Sequence, residues 1–292
     1  MSKKLIFSLA FAAAAATTFA AEDVDERHPA EPDGFVEIEN HAGSVTVIGW
    51  DQNEVHVKGR LGSRAEGLTF ETHGSRTEIE VDVQGNPHGV RSDLEVYVPA
   101  GSRVEIDSFA ADIEVRGVSG RVRAETVNGS ISVEGSAEVV EIESVNGSLE
   151  ISGPARRVQA ESVNGNVIIE GVSGDLEAST VNGELTVSGG SFEHAQLDVV
   201  NGEVRFQGAL SAHATLEIET VSGEVDLILP GDVAADFSIA SFSGDIENDL
   251  SDATPERTSR YTSEQELHFS TGEGGAKVTV QTLSGNIAIR KR

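Results

Sequence analysis

The sequence contains no cysteine, one methionine, one tryptophan and two tyrosines among its 292 residues. Without cysteine it can form no disulfide, no thiolate metal site, no cysteine nucleophile and no lipid-modified N-terminal cysteine. Basic residues are also scarce, since 21 Lys and Arg stand against 49 Asp and Glu, and the formal net charge is −28. Nucleic acids and anionic membranes favour clustered cations, so this charge argues against both as partners.

A long apolar run occurs only at the start of the chain. Lys3 and Lys4 precede an apolar stretch from Leu5 to Ala16, and Thr18-Phe19-Ala20 fits a signal-peptidase cleavage site. The stretch is too short to cross a hydrocarbon layer of about 30 Å. The sequence therefore predicts a signal peptide over residues 1–21 and no membrane span after its removal. The product is expected to be exported, to the periplasm in preference to the cell surface or the medium.

The most prominent feature of the sequence is an internal repeat. The tripeptide Val-Asn-Gly occurs five times, with successive spacings of 18, 18, 18 and 19 residues, and degenerate copies follow it. Such regular spacing is typical of stacked-repeat proteins. The five copies supply the predicted structural residues Asn128, Asn146, Asn164, Asn182, Asn201, Gly129, Gly147, Gly165, Gly183 and Gly202.

Within each repeat, apolar and polar residues alternate, which is the period of a half-buried strand rather than of a helix. Each repeat is predicted to form two short strands, with Asn-Gly at one corner and a second glycine at the other. We expect one face of a repeat to be buried, and in the first Val-Asn-Gly repeat this face comprises Val122, Ala124, Val127, Ile131 and Val133.

Two all-β architectures share this pattern. Asn-Gly is a strong hairpin signal, so a long antiparallel meander is one possibility. A meander of many short strands would leave one apolar face uncovered, whereas stacked coils cover each other at a spacing of about 4.8 Å. In stacked coils the asparagines would form a hydrogen-bonded file, and the glycine after each would take a positive φ. The prediction is therefore a β-solenoid of about 18-residue, two-strand coils.

Several phrases of the sequence resemble a known family. Residues 97–101 read Tyr-Val-Pro-Ala-Gly, residues 229–231 read Leu-Pro-Gly, and an early strand ends in Gly49-Trp50-Asp51. Ser-Gly-Asp-Ile at 243–246 and Ser-Gly-Asn-Ile at 284–287 continue the pattern. Over about residues 35–292 the chain resembles the putative adhesin family of bacterial β-strand-repeat proteins, a domain of unknown function. The resemblance implies an exported, β-solenoid-like protein and brings no catalytic residues. At Phe109-Ala110-Ala111-Asp112 the usual small corner is replaced, so a different first turn is expected.

The repeat pattern also divides the chain. Residues 22–34 are acidic and contain proline, which predicts a flexible lead-in. Residues 35–107 are predicted as a less regular N-terminal β section that caps the stack, and residues 108–247 as regular repeats. Because the spacing between copies rises from 21 to 41 residues near the end, residues 248–275 are predicted to form a loop or hairpin excursion. Residues 276–292 would then form the terminal coil.

Few residues suggest chemistry. The eight histidines include no closely spaced ligand pair, and no Gly-x-Ser-x-Gly nucleophile elbow occurs. Glu125, Glu143 and Glu161 fall in one outward column, which could form a weak Ca²⁺ site, although a solvated acidic face is the favoured interpretation. The sequence predicts no catalytic residues and no cofactor.

The favoured function is a non-enzymatic structural or adhesin-like module of the cell envelope, which would contact an envelope protein or a polysaccharide with its flat acidic and polar faces. The alternative is a carbohydrate-active or carbohydrate-binding β-helix protein. A role in envelope-stress signalling is compatible with the same sequence.

Overall fold

The computed structural model describes residues 22–83, 90–258 and 263–292, and these residues form an all-β structure. The predicted signal peptide, residues 1–21, lies outside the described residues. The strands are β1 (Glu22–Pro29), β2 (Phe35–Trp50), β3 (Glu54–Leu61), β4 (Ala65–His73), β5 (Arg76–Val83), β6 (Ser92–Pro99), β7 (Arg103–Arg116), β8 (Arg121–Asn128), β9 (Ile131–Glu134), β10 (Val139–Asn146), β11 (Leu149–Ser152), β12 (Arg157–Asn164), β13 (Val167–Glu170), β14 (Gly174–Asn182), β15 (Leu185–Asn201), β16 (Val204–Ser222), β17 (Val225–Leu229), β18 (Ala235–Ser241), β19 (Ile246–Asn248), β20 (Glu256–Arg257), β21 (Gln265–Thr271), β22 (Ala276–Ser284) and β23 (Ile287–Lys291).

Consecutive repeats pair side by side in two parallel ladders. In the first ladder β8 pairs with β10, β10 with β12 and β12 with β14, all in parallel and 18 residues apart. In the second ladder β9, β11 and β13 pair in the same way. The long strands β2, β7, β15 and β16 bend at a corner and contribute to both ladders. Because the pairing is parallel, the antiparallel meander is wrong, and the fold is β-solenoid-like.

The core lies between the two ladders and consists mainly of Val, Ile, Leu and Ala. Val122, Ala124, Ile131 and Val133 are buried as predicted, but Val127 is wrong, because it is 36% exposed and Thr126 is buried in its place. The same correction applies to the valine of each later Val-Asn-Gly copy. Buried and outward-facing residues alternate along β8 through Ala124 to Thr126, so Val127 faces outward. The alternation is interrupted at the Asn-Gly corner, and it starts again with buried Ile131 in β9.

The N-terminal section joins the stack through β2 and ends in antiparallel strands. The first half of β2 lies between β5 and β7, and its second half lies between β6 and β7. Antiparallel β4 follows β5 in the first ladder, while β3 and then β1 follow β6 in the second. The lead-in predicted for residues 22–34 is therefore corrected over Glu22–Pro29, which is strand β1. Its sequence lacks an apolar period because it is an edge strand held by backbone pairing to β3.

The last two strands of the chain lie inside the stack and not at its end. Strand β22 pairs with β16 on one side and with β18 on the other, and β23 likewise lies between β17 and β19. The coil predicted as terminal, residues 276–292, is thus the penultimate layer, and the earlier residues 235–248 lie beyond it. The excursion at 248–275 contains β20 and β21, and β21 pairs antiparallel with the outer edge of β18.

Two further predictions concern the first corner of the stack and membrane-spanning segments. The corner at Phe109-Ala110-Ala111-Asp112 lies within the continuous strand β7, whereas the Asn-Gly corners interrupt their strands. Within residues 22–83, 90–258 and 263–292, no helix is long and apolar enough to cross a membrane.

Candidate interaction surface

The outer face of the first ladder carries a column of carboxylates. The predicted trio Glu125, Glu143 and Glu161 pairs in register across β8, β10 and β12. The column is longer than the sequence analysis found, because register pairing continues it through β7 and β2 to β5. We name this set the acidic column, and its members in spatial order are Glu80, Glu39, Asp107, Glu125, Glu143 and Glu161.

The acidic column is electrostatically unfavourable for the isolated chain. Neighbouring members lie about 4.8 Å apart along the ladder, where two like charges repel by roughly 1 kcal/mol in water and more in a less polar environment. Partial burial, followed by the charges of Glu125 and Glu161, raises the pKa of Glu143. Burial and then the charge of Glu80 raise the pKa of Glu39, and burial and then the charge of Glu125 raise the pKa of Asp107.

One guanidinium compensates part of this charge. Arg123 contacts Glu125, and it lies 3.6 Å from a carboxylate oxygen of Glu105 and 3.7 Å from one of Glu141. Glu141 is already paired with Arg121 at 2.5 Å. No ion pair joins Glu39, Asp107 or Glu143 to any residue of the described segments, so the column remains under-neutralised.

An exposed apolar file runs beside the acidic column. Its side chains stand two residues further along each strand, so they point outward like the glutamates. They are between 36% and 54% exposed, and at the N-terminal end the ring of His41 stacks on Phe109 with centroids 5.4 Å apart. We name this set the apolar file, and its members in spatial order are Phe109, Val127, Val145, Val163, Val181, Val200, Val221, Leu283 and Phe242.

The acidic column and the N-terminal half of the apolar file line one groove. Its volume is about 690 Å³, and its walls include Glu39, Asp107, Glu143, Phe109 and Val145. The groove follows the stacking direction across seven neighbouring strands, which are β5, β2, β7, β8, β10, β12 and β14. It therefore presents carboxylates and apolar groups in two parallel rows, rather than a compact set of converging groups.

The asparagines follow the apolar file at the next position along the chain. Each side-chain amide donates to the Oδ1 of the preceding asparagine, at 3.1 Å from Asn146 to Asn128, 3.0 Å from Asn164 to Asn146 and 2.9 Å from Asn182 to Asn164. Asn201 donates to Asn182 at 3.2 Å. The structure thus brings all five predicted asparagines into one hydrogen-bonded file at the corner.

The adjacent glycines are required by close packing of the coils. A Cβ on Gly147 would lie 1.8 Å from the carbonyl oxygen of Gly129, and Gly165 and Gly183 meet the preceding coil in the same way. The predicted positive φ is wrong at Gly129, Gly147, Gly165 and Gly183, which are absent from the positive-φ glycines of the chain; Gly202 alone among the five has one, at 153°. The buried hydroxyls contribute at the same corner, since Ser144 donates to the Gly129 carbonyl at 3.0 Å.

The remaining candidate residues lie in a row or in a small aromatic cluster. Among the described residues, no group of three His, Asp or Glu side chains is arranged to hold a metal ion, so Glu125, Glu143 and Glu161 form a row and not a ligand cage. The buried His56 bonds Asp25 of β1 at 2.6 Å, and this hydrogen bond lowers the pKa of Asp25. Trp50 and Tyr97 pack against His56 in a half-buried aromatic cluster that the sequence analysis did not find.

Comparison with known proteins gives one family and several distant structures. The family model described as Toastrack DUF4097 matches residues 36–290. A putative adhesin from Bacteroides fragilis NCTC 9343 is 10% identical, with 92% of this chain and 97% of that chain covered and a TM-score of 0.47. A putative adhesin from Parabacteroides distasonis ATCC 8503 is 6% identical, with the same coverage and TM-score. A putative cell adhesion protein from Clostridium sporogenes ATCC 15579 is 10% identical, with coverage of 93% and 100% and a TM-score of 0.23.

These structural scores are too low to carry an argument about function. No curated protein matches the chain. The family match spans both ladders from β2 to β23, and it confirms the resemblance seen in the Tyr-Val-Pro-Ala-Gly and Gly-Trp-Asp phrases. The chain therefore belongs to the Toastrack DUF4097 family, a β-solenoid-like family of unknown function.

Proposed function

We propose that this protein is a non-enzymatic, exported module of the cell envelope that binds a partner along the first ladder. The observation that carries the proposal is the apolar file, nine exposed apolar side chains in register on one corner of the stack. Contiguous exposed apolar surface is typical of interaction sites, whereas isolated exposed apolar residues are common everywhere.

The arrangement of polar groups favours binding over catalysis. An active site needs a nucleophile, a base or an oxyanion donor converging on one reacting atom. Here the carboxylates repeat at a constant spacing along the ladder, and among the described residues their side-chain hydrogen bonds go to Arg123 and Gln159 rather than to a histidine or a serine. A regular row of carboxylates can recognise an extended partner, but it does not act on one particular bond of a substrate.

The ends of the stack support an independent, monomeric module. Open ladder edges would invite pairing with further chains. Antiparallel strands β4 and β1 lie at the N-terminal edges of the two ladders, β21 and β20 lie at the C-terminal edge of the first ladder, and the three-residue strand β19 ends the second. We take these strands as caps that leave the lateral face, rather than the ends, for contact. Export rests on the signal peptide predicted over residues 1–21.

Affinity capture from a cell-envelope extract tests the binding function. The baits are the mature wild-type protein, the apolar-file variant V145N/V163N and the control I168N, which makes the same type of change on the outer face of the second ladder. We expect a protein or polysaccharide that the wild type and I168N enrich and V145N/V163N loses. Recovery of the same material by all three baits would refute the proposed surface.

Carbohydrate binding is a second candidate, favoured by the aromatic cluster of the N-terminal section. The Trp50 and Tyr97 rings lie 5.1 Å apart, and the Lys58 ammonium lies 4.9 Å from the centre of the Tyr97 ring. Half-exposed aromatic rings with nearby polar groups can stack on sugars. A glycan array with the wild type and W50A tests this function. The aromatic cluster belongs to the second ladder, whereas Val145 and Val163 belong to the first, so V145N/V163N should leave glycan binding intact.

A further inference from the structure

The acidic column and the apolar file define a strip of known dimensions. Six carboxylates separated by about 4.8 Å span roughly 24 Å along the stack. From Asp107 to Glu161, each carboxylate is separated from its apolar neighbour by two residues of one strand, or roughly 6.5 Å across the strip, whereas Glu39 and Glu80 are followed at that distance by His41 and Asp82. Glu125 and Val127, Glu143 and Val145, and Glu161 and Val163 form such pairs.

The charge of the strip calls for a cationic partner. The column holds six carboxylates, and within the described residues only Arg123 contacts one of them through an ion pair. The raised pKa values of Glu39, Asp107 and Glu143 have burial and like-charge repulsion as their causes. Cations placed over the column would relieve this repulsion, while anionic or neutral partners would leave it in place.

We propose that this groove binds a cationic amphipathic α-helix of about 16 residues, with its apolar face on Phe109, Val127, Val145 and Val163 and its Lys or Arg residues over the acidic column. The inference deepens the proposed binding function and rests on it. It assigns the partner's chemistry, namely a basic polypeptide segment whose apolar and cationic residues lie on adjacent helical faces.

The repeat distance favours a helix over an extended strand. Successive turns of a helix lie 5.4 Å apart, close to the coil spacing of about 4.8 Å, so that one apolar and one basic residue per turn meet one coil. Side chains on one side of a strand recur at about 6.6 Å and lose register with the coils after two residues. A helix of roughly 16 residues also has the 24 Å length of the column.

Charge also disfavours a second copy of this chain as the occupant. Each copy carries a formal net charge of −28, and pairing two apolar files would bring two acidic columns into the same contact. Like charges facing each other across an interface are unfavourable and act against association.

A defined peptide tests the proposal. The probe is a synthetic peptide of about 16 residues made of leucine and lysine, ordered so that a helix carries leucine on one face and lysine on the next. Its affinity for the full mature protein is measured by isothermal titration, and its helicity on binding by circular dichroism. Two control peptides replace every lysine with glutamate, or keep the composition and alternate leucine with lysine at the period of a strand.

Matched variants separate the two rows of the strip. The charge variant is E125Q/E143Q/E161Q, and its control E134Q/E150Q/E170Q removes three charges from the outer face of the second ladder. The apolar variant is V145N/V163N, with I168N as control. We expect the charge variant to bind the probe about tenfold more weakly, since each of three exposed charge pairs contributes a few-fold. The apolar variant should also lose about tenfold, since the apolar area of two valines is no longer buried by the helix. Each control should bind within about twofold of wild type. Affinity should also fall as added salt screens the column.

Any one of four outcomes overturns the proposal. The first is equal affinity for the probe and the lysine-to-glutamate peptide, and the second is equal loss in the groove variants and their controls. The third is a wild-type dimer in light scattering that V145N/V163N converts to monomer, which would make a second copy the occupant. If envelope capture still depends on Val145 and Val163 while the probe fails to bind, the binding function stands and the assignment of a cationic helix is wrong.

Discussion

Replacing Gly147 with alanine tests whether close contact between coils sets the Asn-Gly corner. The new Cβ would lie 1.8 Å from the Gly129 carbonyl oxygen, 2.5 Å from its carbon and 3.0 Å from the Ser130 nitrogen. Ordinary contact requires about 3.4 Å, and all three atoms belong to backbone that cannot rotate away. The two coils must therefore separate locally by roughly 1.5 Å.

The size of the effect follows from what that separation breaks. The Gly129 N–H donates to the Asn146 carbonyl at 3.2 Å, and the Ser144 hydroxyl donates to the Gly129 carbonyl at 3.0 Å. Each lost hydrogen bond costs about 0.5–1.5 kcal/mol, and overpacking adds about 1–3 kcal/mol. We expect Gly147→Ala to lower the free energy of unfolding by about 4 kcal/mol and the Tm by roughly 10 °C.

Urea and thermal unfolding, followed by far-UV circular dichroism, measure this loss. The control is Gly67→Ala in β4, where a Cβ would meet only a carboxylate oxygen of Asp82 at 3.7 Å. Because alanine restricts the unfolded chain more than glycine does, the control should match or slightly exceed wild-type stability. The reasoning fails if Gly147→Ala unfolds at the same urea concentration as Gly67→Ala.

Three further predictions address the asparagine file, the acidic column and the core. Asn164→Ala should lower the free energy of unfolding by about 1 kcal/mol, because it removes the donor to Asn146. Asn164→Asp should lower it by more, because the carboxylate also sets a charged acceptor against the Oδ1 of Asn146. Equal urea midpoints for wild type and both variants would exclude a contribution from the file. Burial and like charges raise the pKa of Glu143, so its ionised form opposes folding at neutral pH, and this penalty vanishes as the pH falls through the raised pKa. Glu143→Gln should therefore be more stable than wild type at pH 7, by less than about 1 kcal/mol because the side chain is largely exposed, and equally stable in acid. A variant that is less stable than wild type at pH 7 would contradict the destabilising effect assigned to the ionised carboxylate. Phe192→Ala should lower the free energy of unfolding by about 3–5 kcal/mol, because Phe192 is fully buried. Phe109→Ala should change it by less than about 0.5 kcal/mol, because Phe109 is exposed. Similar melting curves for the two variants would contradict the assignment of Phe192 to the core and Phe109 to the surface.

Much of the regular part of the fold could be predicted, because each coil contacts the next at a fixed sequence distance. The 18-residue spacing therefore predicts both the parallel register and the single file of Asn128, Asn146 and Asn164. The orientation of Val127 was missed because its hydrophobicity suggested burial. Strict alternation from Val122 through Ala124 to Thr126 was the signal that could have assigned it outward.

The candidate surface was found only in part for a related reason. Glu125, Glu143 and Glu161 share a position in the repeat, so the sequence alone aligns them. Glu39, Glu80 and Asp107 belong to the irregular N-terminal section, and only pairing between strands far apart in sequence brings them into the same column. Strand β1 was missed because backbone hydrogen bonds hold an edge strand without any apolar pattern.

The insertion of β22 and β23 between earlier strands sets an order of assembly. As the chain is synthesised from its N-terminus, layers up to Leu229 can add one after another to a growing template. Residues 235–241 can pair with β21 once it is made, but residues 235–248 cannot join the preceding layer until residues 276–291 arrive, since β22 and β23 lie between them and that layer. The final two layers are therefore completed together, and a chain cut short before Ala276 would lack an internal layer rather than a dispensable tail.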